Sequence, residues 1–138
     1  MSRRPPPLRH RPGDRGALTL SLALVFPVVL ALVFLVVQAS LYWYAGQAAQ
    51  TAAREGADAG RTRGGTPEAG EAQARQFLDR VGSLAEPVSV NPRGGDQNTF
   101  VITVAVRPLA VLPGFDRFTI TRRVSAPREK FVPQVGQP

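Results

Sequence analysis

The side chains that could do covalent or proton-transfer chemistry are few in this chain, and they stand apart. There is no cysteine and one histidine, His10, set among arginines and prolines. Thiolate catalysis, disulfide stapling and cysteine metal sites are excluded, and a His-ligated metal or a His-based triad has no material. The carboxylates Asp58, Glu68, Glu71, Asp79, Glu86, Asp96, Asp116 and Glu129 are dispersed, most of them on expected turns or solvent faces. No pair of them is spaced for general acid–base work. Gly94-Gly95 is too short for a phosphate-cradling loop. The residues read as a non-enzymatic chain without cofactor or metal.

The informative feature is the opposite of a reactive cluster. From Gly16 to Ala53 there is no Asp, Glu, Lys, Arg or His, and Ala17 to Tyr44 is almost entirely apolar. As a helix, 17–44 measures about 40 Å at 1.5 Å per residue, against a bilayer hydrocarbon core of roughly 30 Å. A helix apolar on every face is expected to lie in membrane lipid. Arg3, Arg4, Arg9, Arg11 and Arg15 precede it, against Asp14 alone, so much of the net charge of +7 sits in one short tail. Such a tail reads as a topology signal rather than a nucleic-acid surface, with the N-terminus cytoplasmic and the C-terminal part extracytoplasmic in a single-pass cell-membrane protein. Tyr42, Trp43 and Tyr44 cluster at the far end, where aromatic rings favour the lipid–water interface. Pro27, inside the run, removes a backbone donor and is expected to kink the membrane helix. A secretory signal has an apolar region of about 7–15 residues and an A-x-A-like site; this run is longer and lacks that site before the aromatics.

The helical pattern continues past the aromatics. Ala45, Ala49, Ala53 and Ala57 recur every fourth residue, with Gly46, Ala52, Gly56 and Gly60 on neighbouring faces. One helix over about 17–60 follows, half in lipid and half a stalk. Its small residues let another backbone approach closely: either related helices in an assembly, or this chain's own sheet. After a loop at 61–66, Thr66 and Pro67 form an N-cap and first-turn proline, and Ala74, Phe77, Leu78 and Val81 share one face before Gly82 ends the helix. Short strands are expected at 87–90, at 99–107 with Phe100, Ile102, Val104 and Val106 on one face, and at 118–125. Arg93 to Asp96 and Pro113-Gly114 supply turns. The fold class is therefore α+β: a long transmembrane helix continuing as a stalk, a second short helix and a small antiparallel sheet of about three strands, pilin-like. The expected division is a basic cytoplasmic leader (1–16), transmembrane helix (17–44), helical stalk (45–60), extracytoplasmic α+β domain (61–126) and flexible tail (127–138).

The arrangement from Arg15 onward resembles the TadE-like pseudopilins of the tight-adherence (Flp) pilus system. The residues carrying the resemblance are Arg15-Gly16-Ala17-Leu18 running on to Phe26-Pro27, then Ala52-Ala53-Arg54-Glu55-Gly56-Ala57. To these are added Val101–Val106 and Phe118–Val124 around Leu112-Pro113. The resemblance implies a structural or assembly component of a Tad-type pilus or secretion system, with other pilin-like or Tad subunits as partners. It also implies a prepilin peptidase cutting between Gly16 and Ala17. The family has Glu five residues after the cut, where this chain has Ser21; in type IV-like pilins that carboxylate is thought to meet a neighbouring subunit's new N-terminal amine. A cleaved filament subunit and an uncleaved anchored assembly factor both stay open. The alternative is an unrelated single-pass envelope protein whose outward domain binds a ligand or partner.

Overall fold

In the computed structural model, residues 13–93 and 95–129 are described; most of the basic leader (1–12), Gly94 of the 93–96 turn and the tail from 130 lie outside the described residues. The elements in order are α1 (Gly13–Arg61), α2 (Pro67–Val81), a single 3-10 turn at Gly82–Leu84, β1 (Ala85–Asn91), β2 (Thr99–Pro108) and β3 (Ile120–Pro127). Among the described residues, the chain divides into two units, one ending at Leu35 and one beginning at Val36.

The first unit is the early part of α1. From Thr19 to Leu35 every side chain is exposed, including Leu22, Val25, Phe26 and Leu32. A solvated helix does not leave an all-round apolar surface in water, and this one is long and apolar enough to cross a membrane.

The second unit is an α+β sandwich of two layers. Its sheet has the order β1-β2-β3, both pairs antiparallel. The alternation in β2 sends Phe100, Ile102, Val104 and Val106 to one face, all buried, where they meet Ile120 of β3, Ala74 and Leu78 of α2, and the alanines of α1. A three-stranded sheet is marginal alone; here both helices cover it. α2 begins as its sequence dictates: the Thr66 hydroxyl accepts from the Ala69 amide at 3.1 Å, with proline next. It ends at Gly82, whose φ of +69° disfavours side chains, with its N–H on the Leu78 carbonyl.

Two strand boundaries differ from the pattern. β1 extends from Ala85 because Ala85 pairs with Pro108 and Glu86 with Arg107, and Val88 is the extra residue of a bulge between Pro87 and Ser89. β3 starts at Ile120, not at Phe118. Phe118 instead sits outside the ladder, its ring edge-on to Tyr42 (centroids 6.2 Å, 78°) and 5.6 Å from Phe115.

Candidate functional site

The sequence-predicted site residues that fall among the described residues lie on α1. Three stretches of it act differently. The first is the exposed apolar run already described, within which Ser21 and Pro27 are both exposed and α1 continues through the proline. Gly16 and Ala17 lie in the helical backbone of α1.

The second stretch is the stripe of small residues. Ala45, Ala49 and Ala53 are 0% exposed and Ala57 1%. Their neighbours are this chain's own strands, so that face of the helix is already filled. At Gly56 an added Cβ would stand 2.6 Å from Ile102 Cδ1, 2.7 Å from the Gly70 carbonyl and 3.1 Å from Ala74 Cβ. Glycine at 56 and glycine at 70 let α1 and α2 cross almost backbone to backbone. Gly60 faces the Phe100 ring in the same way. Beside Gly56, Glu55 reaches across to α2, accepting from Gln73 Nε2 at 3.1 Å and Arg80 Nη2 at 3.5 Å. The motif Ala52-Ala53-Arg54-Glu55-Gly56-Ala57 thus has a local meaning: small residues that admit the sheet and α2, with one carboxylate fixing α2.

The third stretch is Gln38, which the composition of the run hides. It is the one amide between Ala17 and Tyr44, and it is buried at 2% exposure. Its Oε1 accepts from the Val111 amide at 2.8 Å and the Leu112 amide at 3.2 Å, while its Nε2 donates to the Leu109 carbonyl at 3.2 Å. One side chain therefore satisfies three backbone groups of the loop between β2 and β3. A lone amide in an otherwise apolar helix was the available signal, since a polar group there must find partners.

The aromatic trio borders this clamp. Tyr42, Trp43 and Tyr44 are 38%, 71% and 43% exposed, with Tyr42 resting on Phe118.

The anchor run and the packing stripe follow one another on a single helix, with Pro27 in the first and the glycine crossing in the second. Over residues 16–58 the chain matches the TadE-like protein family. The match bears out the resemblance from Gly16 to Ala57 and does not reach the motifs read at 101–124; the TadE-like segment holds the apolar run, Gln38, the alanine stripe and Gly56, but neither α2 nor the sheet. It associates the chain with Tad pilus components in general terms. No curated protein and no solved structure matches the chain.

The far end of the sheet is held by ordinary surface chemistry. Arg61 pairs with Asp58 at 2.8 Å and Glu129 at 3.5 Å, and the Asp58 hydrogen bond raises its already high pKa. Backbone N–H donors, first that of Asn98 at 2.8 Å, hold the Asp96 carboxyl below the usual carboxylate range.

Proposed function

We propose that this chain is a membrane-anchored, pseudopilin-like structural component of a Tad-type pilus or secretion assembly. Residues 17–44 anchor it in the cell membrane, the arginine-rich start stays cytoplasmic and the α+β domain stands outside. Its role is structural rather than catalytic, and its partners are lipid and other pilin-like or Tad subunits. The observation that carries the reading is the union, on one TadE-like helix, of an exposed apolar run with a glycine- and alanine-lined half that forms the domain's core.

The leader's fate follows from Gly16-Ala17 and Ser21. A prepilin peptidase acting here would remove the basic tail, and the new amine would find a hydroxyl, not a carboxylate, at Ser21. A buried amine left without a counter-charge is costly in lipid. N-terminal sequencing and immunoblot size, with and without the peptidase, test this step. A start moved to Ala17 supports processing; an unchanged start removes it and leaves an uncleaved assembly factor. Co-purification with Tad subunits from the native membrane tests the assembly role, and recovery of the chain alone would count against it.

A further inference from the structure

Outside the apolar run, the exposed large hydrophobic side chains of the described residues are not scattered. All but Val88 gather at one end of the second unit: Tyr42 and Trp43 with their neighbour on α1, Leu109, Val111 and Phe118 in the β2–β3 loop, and Leu84, whose carbonyl accepts from the Leu109 amide at 3.4 Å. Their exposures run from 37% at Leu84 to 71% at Trp43. Singly such residues need no explanation, but several at one end, with Tyr42 on Phe118 and Leu109 bonded to Leu84, point to a contact surface.

The chain fixes the height of that cluster. The order along α1 is Gln38 beside 109–112, Gly46 beside Ile120 and Arg122, Gly56 beside Ile102, and Arg61 beside Glu129, whose amide donates to the Arg61 carbonyl at 3.1 Å. The β2–β3 loop is therefore at the Gln38 end, and the β1–β2 connection, 92–98, is at the other. Twenty-three residues of helix separate the two levels, about 35 Å. Counting back from Gln38, the exposed apolar residues 19–37 occupy about 30 Å of helix, the thickness of the hydrocarbon core. Gln38 therefore stands where that run meets the interface.

Resting on the reading of α1 as membrane-spanning, we propose that the 109–118 loop, with Leu84 and the 42–44 aromatics, lies in the lipid–water interface at the residue-38 end of the run. Gln38 makes this affordable for the backbone: beside lipid, unpartnered amides cost several kcal/mol each, and Gln38 supplies partners to Leu109, Val111 and Leu112. Of the charged groups here, Arg117 and Asp116 are exposed in the loop, and Arg107 precedes it opposite Glu86, so the charges balance and the apolar side chains carry the contact.

The absence of native cysteine permits a clean test. The full chain carrying Val111→Cys, Val29→Cys or Arg93→Cys is labelled with an environment-sensitive fluorophore. Each is reconstituted in phosphatidylcholine–phosphatidylglycerol vesicles with and without lipid bearing a nitroxide on its acyl chain. Val111 is 42% exposed and its clamp bond is made by the backbone amide, so the substitution leaves the loop in place. The expected result is strong quenching at 29 and 111, severalfold above that at 93. Quenching at 29 with 111 no higher than 93 overturns the proposal and leaves the anchor standing, as it would if a protein subunit covered the loop. Equal strong quenching at 93 and 111 also overturns it, because the contact would not be confined to one end. No quenching at 29 sinks the anchor reading and the proposal together.

Discussion

Replacing Gly56 by alanine sets two effects of opposite sign against each other. In a helix interior alanine is favoured over glycine by about 1 kcal/mol. Against that, the new Cβ would lie 2.7 Å from the Gly70 carbonyl, and contact becomes ordinary only at 3.4 Å, so α2 must retreat by about 0.7 Å. Ile102 Cδ1, at 2.6 Å, gives no relief because Ile102 is itself 0% exposed. Overpacking of this kind costs about 1–3 kcal/mol, and retreat of α2 also loosens its contact with the sheet. We expect Gly56→Ala to destabilise by up to about 2 kcal/mol net, lowering the melting temperature of the full chain in detergent micelles by up to about 16 °C. Gly46→Ala is the control on the same helix. Its Cβ would meet an Arg122 guanidinium nitrogen at 3.2 Å, the far end of a flexible, exposed side chain. There the helix term wins, and the melting temperature holds or rises by a few degrees. If Gly56→Ala raised it as much as Gly46→Ala, the backbone-to-backbone crossing of α1 and α2 would be refuted.

Further outcomes follow from the same geometry. Gln38→Leu keeps the volume but strands the Val111 and Leu112 amides, about 1–3 kcal/mol for each that stays dry; hydrogen exchange should speed at 111 and 112 and not in α2. A fragment of residues 61–138 lacks the alanine face of the core and should remain unfolded by circular dichroism, whereas residues 36–138 should show the sheet. Glu55→Gln breaks an exposed, 3.5 Å ion pair with Arg80 and should change stability by less than about 1 kcal/mol in a thermal melt. Asp96, held low by backbone donors, stabilises the turn at 96–99 above the ordinary carboxylate pKa of about 4, and that support is lost as the pH falls through its lower folded value. A carbon-detected NMR titration should place it below a free aspartate peptide; a value at or above that peptide's would show the Asn98 contact absent.

How much was legible depended on whether the signal was local. Thr66, Pro67 and Gly82 bound α2 because caps are set by adjacent residues, and the Phe100–Val106 alternation marked β2 because period two is local. The apolar run and the TadE-like motifs were readable for the same reason. The occupant of the alanine stripe was not: small residues admit either a neighbouring subunit or the chain's own sheet, and the choice rests on Ile102 and Phe100, more than forty positions on. Gln38 was missed because its partners are 71, 73 and 74 residues away. Phe118 matched a strand period, yet its packing on Tyr42 took it out of the ladder.

The most direct test of the account is alkaline carbonate extraction of membranes from cells making the full chain. Anchoring by the 17–44 run predicts that the chain stays in the membrane pellet. Its release at full length into the supernatant would contradict the account at its root.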